Sequence, residues 1–232
     1  QKTIFIRNVP ESQLAFMLKD WEESLNKELK LAYLPSPGVV RLRLSGISND
    51  KSKINSLIKS ELVKLNHIVK YDDNKSDLNK LVYDLCTSKK ISVSVAESCT
   101  SGLIASSLSQ IPGSSNFFLG GIICYSDISK INLLSISSKL INEKSSVSED
   151  VCFEMAKNAR NKFNSDYSIA TSGYAGPQGG TTDNPVGTVF ITITSRKGSI
   201  TKKILFSGDR KIILNQVKTK ALELLIGCLL YT

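Results

Sequence analysis

The run Ile91-Ser92-Val93-Ser94-Val95-Ala96, followed at once by Glu97-Ser98-Cys99-Thr100-Ser101-Gly102, constrains this chain more than any other feature. Its first half alternates β-branched residues with small ones and reads as a strand, and its second half is a tight polar turn. Leu103, Ile104 and Leu108 then recur at helical spacing as far as Pro112-Gly113. Strand, polar turn and helix in that order mark an α/β layout, in which a ligand is held at the strand ends.

The rest of the second half supports the same layout. Leu78, Leu81, Val82 and Leu85 predict a helix, and Gly121 to Tyr125 predicts a strand. A short helix through Lys130, Leu133 and Leu134 follows. Ser148-Glu149-Asp150 then caps a longer helix with Val151, Met155, Ala159 and Phe163 on one face. Tyr167–Thr171, Gly187–Thr194 and Lys203–Phe206 supply three more strands, and Ile213, Val217, Ala221, Leu224 and Leu225 space out a closing helix.

The first 72 residues have a different pattern. Thr3–Arg7 reads as a strand, and Pro10-Glu11-Ser12 opens a helix whose Leu14, Met17, Leu18, Trp21 and Leu25 form one apolar stripe. Leu34-Pro35-Ser36-Pro37-Gly38 is a turn by composition. Val39–Leu44 alternates with period two, Ile54, Leu57, Ile58, Leu62 and Leu65 predict a helix, and His67–Tyr71 is expected to form a further strand. The polar stretch Asp72-Asp73-Asn74-Lys75-Ser76 is the expected linker, giving a small α+β domain over 1–72 and an α/β domain, a mixed sheet with flanking helices, over 73–232.

Composition narrows the chemistry. The chain has 232 residues and a single histidine, His67, so a Ser-His-Asp or Cys-His centre would have to use that one residue and a His-rich metal site cannot be built. Five cysteines, odd in number and never at a CxxC spacing, fit reduced thiols better than a disulfide framework or a zinc site. No run of about 18 apolar residues exists, and the first twenty residues lack the apolar core of a signal peptide. A cytoplasmic location with no membrane contact is the expectation. The net charge of +9 is spread over the chain, with 12 basic and 8 acidic residues in the first 72, rather than gathered into one basic arm.

Four constellations carry chemistry by residue type. In Glu97–Gly102 a hydroxyl sits where helix N–H groups converge, which suits either a plain N-cap or a nucleophile whose attack creates an oxyanion. In Tyr125-Ser126-Asp127-Ile128-Ser129-Lys130 the lysine is either solvated or a general base. The second role needs its pKa lowered from about 10.4 toward 7–8, a cost of roughly 4 kcal/mol. In Ser172–Thr182, rich in glycine, successive N–H groups form either an ordinary turn or a nest for phosphate or carboxylate. Gly208-Asp209-Arg210 pairs an N-cap aspartate with a guanidinium whose fork fits phosphate.

In order along the chain, AESCTSGLIA (96–105), IPGSSNFF (111–118), YSDISK (125–130), VSEDV (147–151), SGYAGPQGGTTDNPVGTV (172–189) and SGDR (207–210) resemble the C-terminal domain of the CinA competence/damage-inducible family. LAYLPSPG (31–38) with Val39–Leu44 resembles that family's small KH-type middle domain. The family's first domain, molybdopterin-binding-like and associated with ADP-ribose pyrophosphatase activity, is not matched, so the chain is expected to be a fragment.

The resemblance implies a nicotinamide mononucleotide deamidase, a serine amidohydrolase that releases ammonia and leaves nicotinic acid mononucleotide. Ser98 would be the nucleophile, with Tyr125 and Lys130 as the assisting pair. Glu97, Cys99, Thr100, Ser101, Gly102, Ser172, Gly173, Gly176, Gly179, Gly180, Thr181 and Arg210 would line the substrate site. No cofactor and no metal would be needed, and a homodimer is implied. Two positions depart from the family pattern: Ser101 stands where a Gly-Gly pair usually begins, and Tyr174 stands where isoleucine is usual. These departures favour the alternative of a catalytically weak nucleotide-binding or regulatory module. Nucleic-acid binding is a third reading, and against it residues 1–72 lack the GxxG loop on which KH recognition depends.

Overall fold

The computed structural model describes residues 1–7, 9–36, 39–48, 50–69 and 78–230. The chain divides into two compact units, Gln1–Ser76 and Asp77–Thr232. The expected linker 72–76 lies outside the described residues.

In the first unit, β1 (Lys2–Arg7), β2 (Leu29–Ser36) and β3 (Val39–Gly46) form an antiparallel sheet in the order β1-β3-β2. Strict alternation in β3 buries Val40, Leu42 and Leu44 and leaves Arg43 outside. Helices α1 (Glu11–Glu23) and α2 (Lys51–Asn66) contribute Leu14, Leu18 and Trp21, and Ile54, Ile58, Leu62 and Leu65, to the same core. Asp50 caps α2, its carboxylate accepting from the N–H groups of Ser52 and Lys53 at 2.9 and 3.1 Å.

Three expectations for this unit need correction. Strand β2 was not predicted, and Leu34-Pro35-Ser36 belongs to it rather than to a turn. β2 is an edge strand, where a proline such as Pro35 is tolerated because its missing N–H faces outward, so composition misreads it as a turn. His67–Val69 is not a strand: His67 caps the C-terminus of α2, and the N–H groups of His67, Ile68 and Val69 bond back to Lys64 and Leu65 carbonyls. Tyr71 lies outside the described residues. Met17 also leaves the predicted stripe and is exposed, since the buried positions on α1 step by four and three residues through Leu14, Leu18 and Trp21.

The second unit is the expected mixed sheet between helices. Its strands are β4 (Val93–Glu97), β5 (Phe118–Ile123), β6 (Tyr167–Gly173), β7 (Thr188–Ser195) and β8 (Ser199–Leu205), in the order β5-β4-β6-β7-β8. β5, β4 and β6 run parallel, and β7 and β8 continue antiparallel. Side-chain alternation divides the core in two. Val93, Val95, Ile169, Val189, Ile191 and Ile193 pack under α3 (Leu78–Lys89), α4 (Leu103–Ser109) and the final α8 (Arg210–Leu230). Ala96, Ala170 and Phe190 face α5 (Asp127–Leu134), α6 (Ser138–Lys144) and α7 (Glu149–Phe163).

Helix α6 was not anticipated; it is seven residues long and carries one buried residue, Ile141, too little pattern for periodicity to register. Small residues on both sides, Ala156 and Ala159 of α7 against Ala96 and Ala170, fill the second core. Because three adjacent strands run parallel, their carboxyl ends, at Glu97, Ile123 and Gly173, lie along one edge of the sheet.

Candidate active site

Backbone bonds tie the three strand ends together. The Ser98 N–H donates to the Thr171 carbonyl at 3.0 Å, and the Cys124 N–H donates to the Glu97 carbonyl at 2.8 Å. The loops that leave these strands at Ser98, Tyr125 and Ser172 therefore start side by side.

Ser98 opens the turn into α4 and is 7% exposed. Every N–H of the following turn has an assignable partner except two. Ser101 and Leu103 donate to the carbonyls of Ser98 and Thr100, and Ser106 donates to that of Gly102. Gly102, Ile104 and Ala105 donate to the carboxylate of Glu97 at 3.0, 3.2 and 2.7 Å. Cys99 and Thr100 have no backbone or carboxylate acceptor among the described residues, although the Cys99 N–H lies against its own thiol. Ser101 reaches this turn with φ of +49°, in the left-handed region, and Gly102 with +94°. That geometry explains why a Gly-Gly pair suits the turn.

Lys130 occupies a position normally held by an apolar residue. The two buried residues of α5 are Lys130 and Leu134, one turn apart, and the lysine is 2% exposed. Its Nζ lies 3.7 Å from the carboxylate of Asp127, a residue half in solvent. It also lies close enough to Cys124 to oppose the effect of burial, which pushes that thiol up to about 11. Ser126 starts the helix with a capping box, exchanging bonds with Ser129, and this fixes the first turn that carries Lys130.

Tyr125 projects from the strand end and is 56% exposed. Its hydroxyl accepts from Arg210 Nη2 at 3.1 Å, while Arg210 Nη1 donates to the Gly176 carbonyl at 2.9 Å. The first residue of α8 thus clamps Tyr125 to the glycine-rich loop. Asp209 caps that helix end by accepting from the Ile212 N–H at 2.8 Å.

The structure brings Ser98, Tyr125, Lys130, Gly176 and Arg210 to one edge. It also engages the side chains of several expected substrate-lining residues within the fold. Glu97 is fully engaged with the α4 N–H groups. Cys99 is buried, and its thiol is pushed up to about 12 by burial. The Thr100 hydroxyl pairs with that of Thr171 at 2.7 Å, and the Ser172 hydroxyl donates to the Ser146 carbonyl at 2.7 Å. The side chains of Glu97, Thr100 and Ser172 are thus bonded to the neighbouring elements they touch.

Gly173 is a packing glycine as well, since a Cβ there would stand 2.6 Å from the Thr188 carbonyl. Gly179 and Gly180 turn the loop through positive φ, with Gly179 against the Tyr174 ring. Thr181 closes a turn, its hydroxyl accepting from the Asn184 N–H at 3.0 Å. Asp127 and Thr171, which contact Lys130 and Thr100, are further candidates that went unassigned; the three-residue spacing from Asp127 to Lys130 on a helix is a signal that could have found the first. No cluster of three His, Cys, Asp or Glu able to hold a metal occurs among the described residues.

Comparison with known proteins agrees with these motifs. Residues 75–229 match the CinA C-terminal domain, and residues 1–71 match the damage-inducible protein CinA KH domain. A CinA-like protein of Flavobacterium psychrophilum is 41% identical over 229 residues, covering 97% of this chain and 54% of that protein. One from Fervidobacterium nodosum is 37% identical over 218 residues, covering 94% and 53%. The chain spans about half the length of the curated relatives it matches.

Among solved structures, a CinA superfamily protein of Klebsiella pneumoniae 700603 aligns with a TM-score of 0.66 at 30% identity, over 68% of this chain and 99% of that one. One from Escherichia coli aligns at 0.63 and 32%, over 65% and 87%. With both of its units matched in order, the chain belongs to the CinA family, joining the family's KH domain to its C-terminal domain.

Proposed function

We propose that the second unit is a serine amidohydrolase that converts nicotinamide mononucleotide to nicotinic acid mononucleotide and ammonia. The observation that carries this proposal is Lys130: an amine buried on the apolar stripe of α5, at the same sheet edge as Ser98, in a chain whose one histidine lies in the other unit. Ser98 Oγ attacks the carboxamide carbon, and its proton passes to Lys130 directly or through the Tyr125 hydroxyl. The carbonyl electrons move onto oxygen, where backbone N–H groups after Ser98 receive the charge. Collapse breaks the C–N bond, and ammonia leaves with the transferred proton. Water then attacks the acyl-serine ester, gives its proton to the same base and frees the carboxylate product and Ser98. Arg210, which bonds Tyr125 and the Gly176 carbonyl, and the 176–181 loop supply donors for the nucleotide's phosphate.

Incubating the pure chain with nicotinamide mononucleotide and measuring ammonia tests the proposal. Ser98→Ala and Lys130→Met are each expected to lose at least about a hundredfold in rate, with folding intact. No ammonia from the wild type, or undiminished release by Ser98→Ala, sinks it. A second reading, a binding module without turnover, draws on Ser101, whose side chain sits on a left-handed residue in the turn that follows Ser98. It predicts calorimetric binding of the nucleotide with no ammonia released.

A further inference from the structure

We propose that Glu97 is a positioning residue for the reaction, and not a substrate ligand: its buried carboxylate holds the Ser98 turn so that the Thr100 N–H is left to receive the oxyanion. This inference rests on the proposed amidohydrolase chemistry.

Its basis is a complete count of the backbone donors from Ser98 to Ser106. Seven of nine have a backbone or carboxylate acceptor among the described residues, the Cys99 N–H lies against its own thiol, and three of the seven end on the Glu97 carboxylate, which is 1% exposed. One carboxylate oxygen takes Gly102 and Ile104, and the other takes Ala105. An acidic side chain is rarely buried so deeply, and here three charge-assisted bonds offset its desolvation. An ordinary Ser or Thr cap would satisfy one of those donors. The residue before the nucleophile thus anchors the helix from within the sheet, and the turn in between cannot tighten far enough to use up the Thr100 N–H.

Two further contacts make this a held geometry. Thr100 is pinned by its hydroxyl to Thr171, the residue whose carbonyl takes the Ser98 N–H. The Glu97 carbonyl takes the Cys124 N–H, one residue before Tyr125. Glu97 therefore sets the Ser98 turn against both the donor and the assisting tyrosine.

Glu97→Gln separates this role from a merely structural one. Glutamine keeps the length but offers a single acceptor oxygen and turns an amide NH2 toward one of the three N–H groups, so two donors face each other. The wild type and Glu97→Gln would be compared by ammonia release, by calorimetric binding of nicotinic acid mononucleotide, and by the rate at which an alkyl fluorophosphonate labels Ser98. That probe needs no knowledge of the substrate. Ser98 Oγ bonds to phosphorus, fluoride leaves, the serine proton goes to the base, and the phosphoryl oxygen occupies the oxyanion position.

The expected result is a folded Glu97→Gln with product binding within threefold of wild type, and both kcat and labelling rate lower by ten- to a hundredfold. Labelling per folded molecule within threefold of wild type overturns the inference. So does a Glu97→Gln chain that fails to fold, which would make Glu97 a structural cap. A wild type labelled at Ser98 yet releasing no ammonia removes the nicotinamide substrate, and the labelling comparison still decides the role of Glu97. A wild type that does not label at Ser98 overturns both.

Discussion

Residue by residue, the chemistry of this chain depends on burial. Lys130 and Asp127 sit three positions apart on one helix, yet the lysine is buried and the aspartate is half in solvent. The thiols show the same dependence. Burial pushes Cys86, Cys99 and Cys152 up to about 12 and Cys124 up to about 11. A thiol whose pKa is raised by folding contributes stability that is fully present below its unfolded pKa, about 8.5–9, and is lost as pH rises toward the folded value. The thermal midpoint is therefore expected to be insensitive to thiol ionisation up to about pH 8.5. It should then fall from about pH 9 toward about pH 11–12, as stability drops by up to about 1.4 kcal/mol per thiol per pH unit. Cys152→Ser, which keeps a donor for the Phe190 carbonyl that Sγ contacts at 3.3 Å, should show a shallower alkaline fall than wild type. Equal slopes for the two chains would refute the assignment.

At the level of elements, strands and helix starts were legible where local pattern and burial agree. The alternation of β3 and the Ser148 cap of α7 are cases of this, the Ser148 hydroxyl accepting from the Val151 N–H as its sequence position suggests. β2 was hidden because Pro35 and Ser36 carry turn composition, and only its place at a sheet edge makes a strand acceptable there. The joint between α8 and the glycine-rich loop was equally hidden. Arg210 was readable as a phosphate-binding fork, but its bonds to Tyr125 and Gly176 span 85 and 34 residues. Lysine's three donors radiate from one nitrogen and do not reproduce the two separate nitrogens, Nη1 and Nη2, that make these bonds. Arg210→Lys is thus expected to lower kcat/KM for ammonia release by about ten- to a hundredfold, the equivalent of one charge-assisted hydrogen bond of about 1.5–3 kcal/mol, with stability within about 1 kcal/mol. Steady-state kinetics and a melting curve read the two effects separately.

For the whole molecule, each of the two units has its own core, one built on Leu42 and its neighbours and the other divided across the five-stranded sheet. Leu42→Ala is expected to cost the first unit about 2–5 kcal/mol. Calorimetry should show one transition shifting to lower temperature, while the transition that tracks ammonia release stays in place. Loss of ammonia release in step with the first unit would contradict independent cores. Among the described residues no helix is long and apolar enough to cross a membrane.

The sequence by itself determined the family and the α/β and α+β patterns, and singled out Ser98, Tyr125, Lys130 and Arg210 as candidates, because motifs and periodicity are local properties that short stretches carry intact. Only the tertiary structure decided which polar groups are engaged within the fold. Whether Glu97 faces a ligand or a helix end, whether Lys130 is solvated or buried, and which N–H groups remain open after Ser98 depend on which strand lies beside which. Those neighbours come from segments tens of residues away, and a hydrogen bond already made within the fold is not free to hold a substrate.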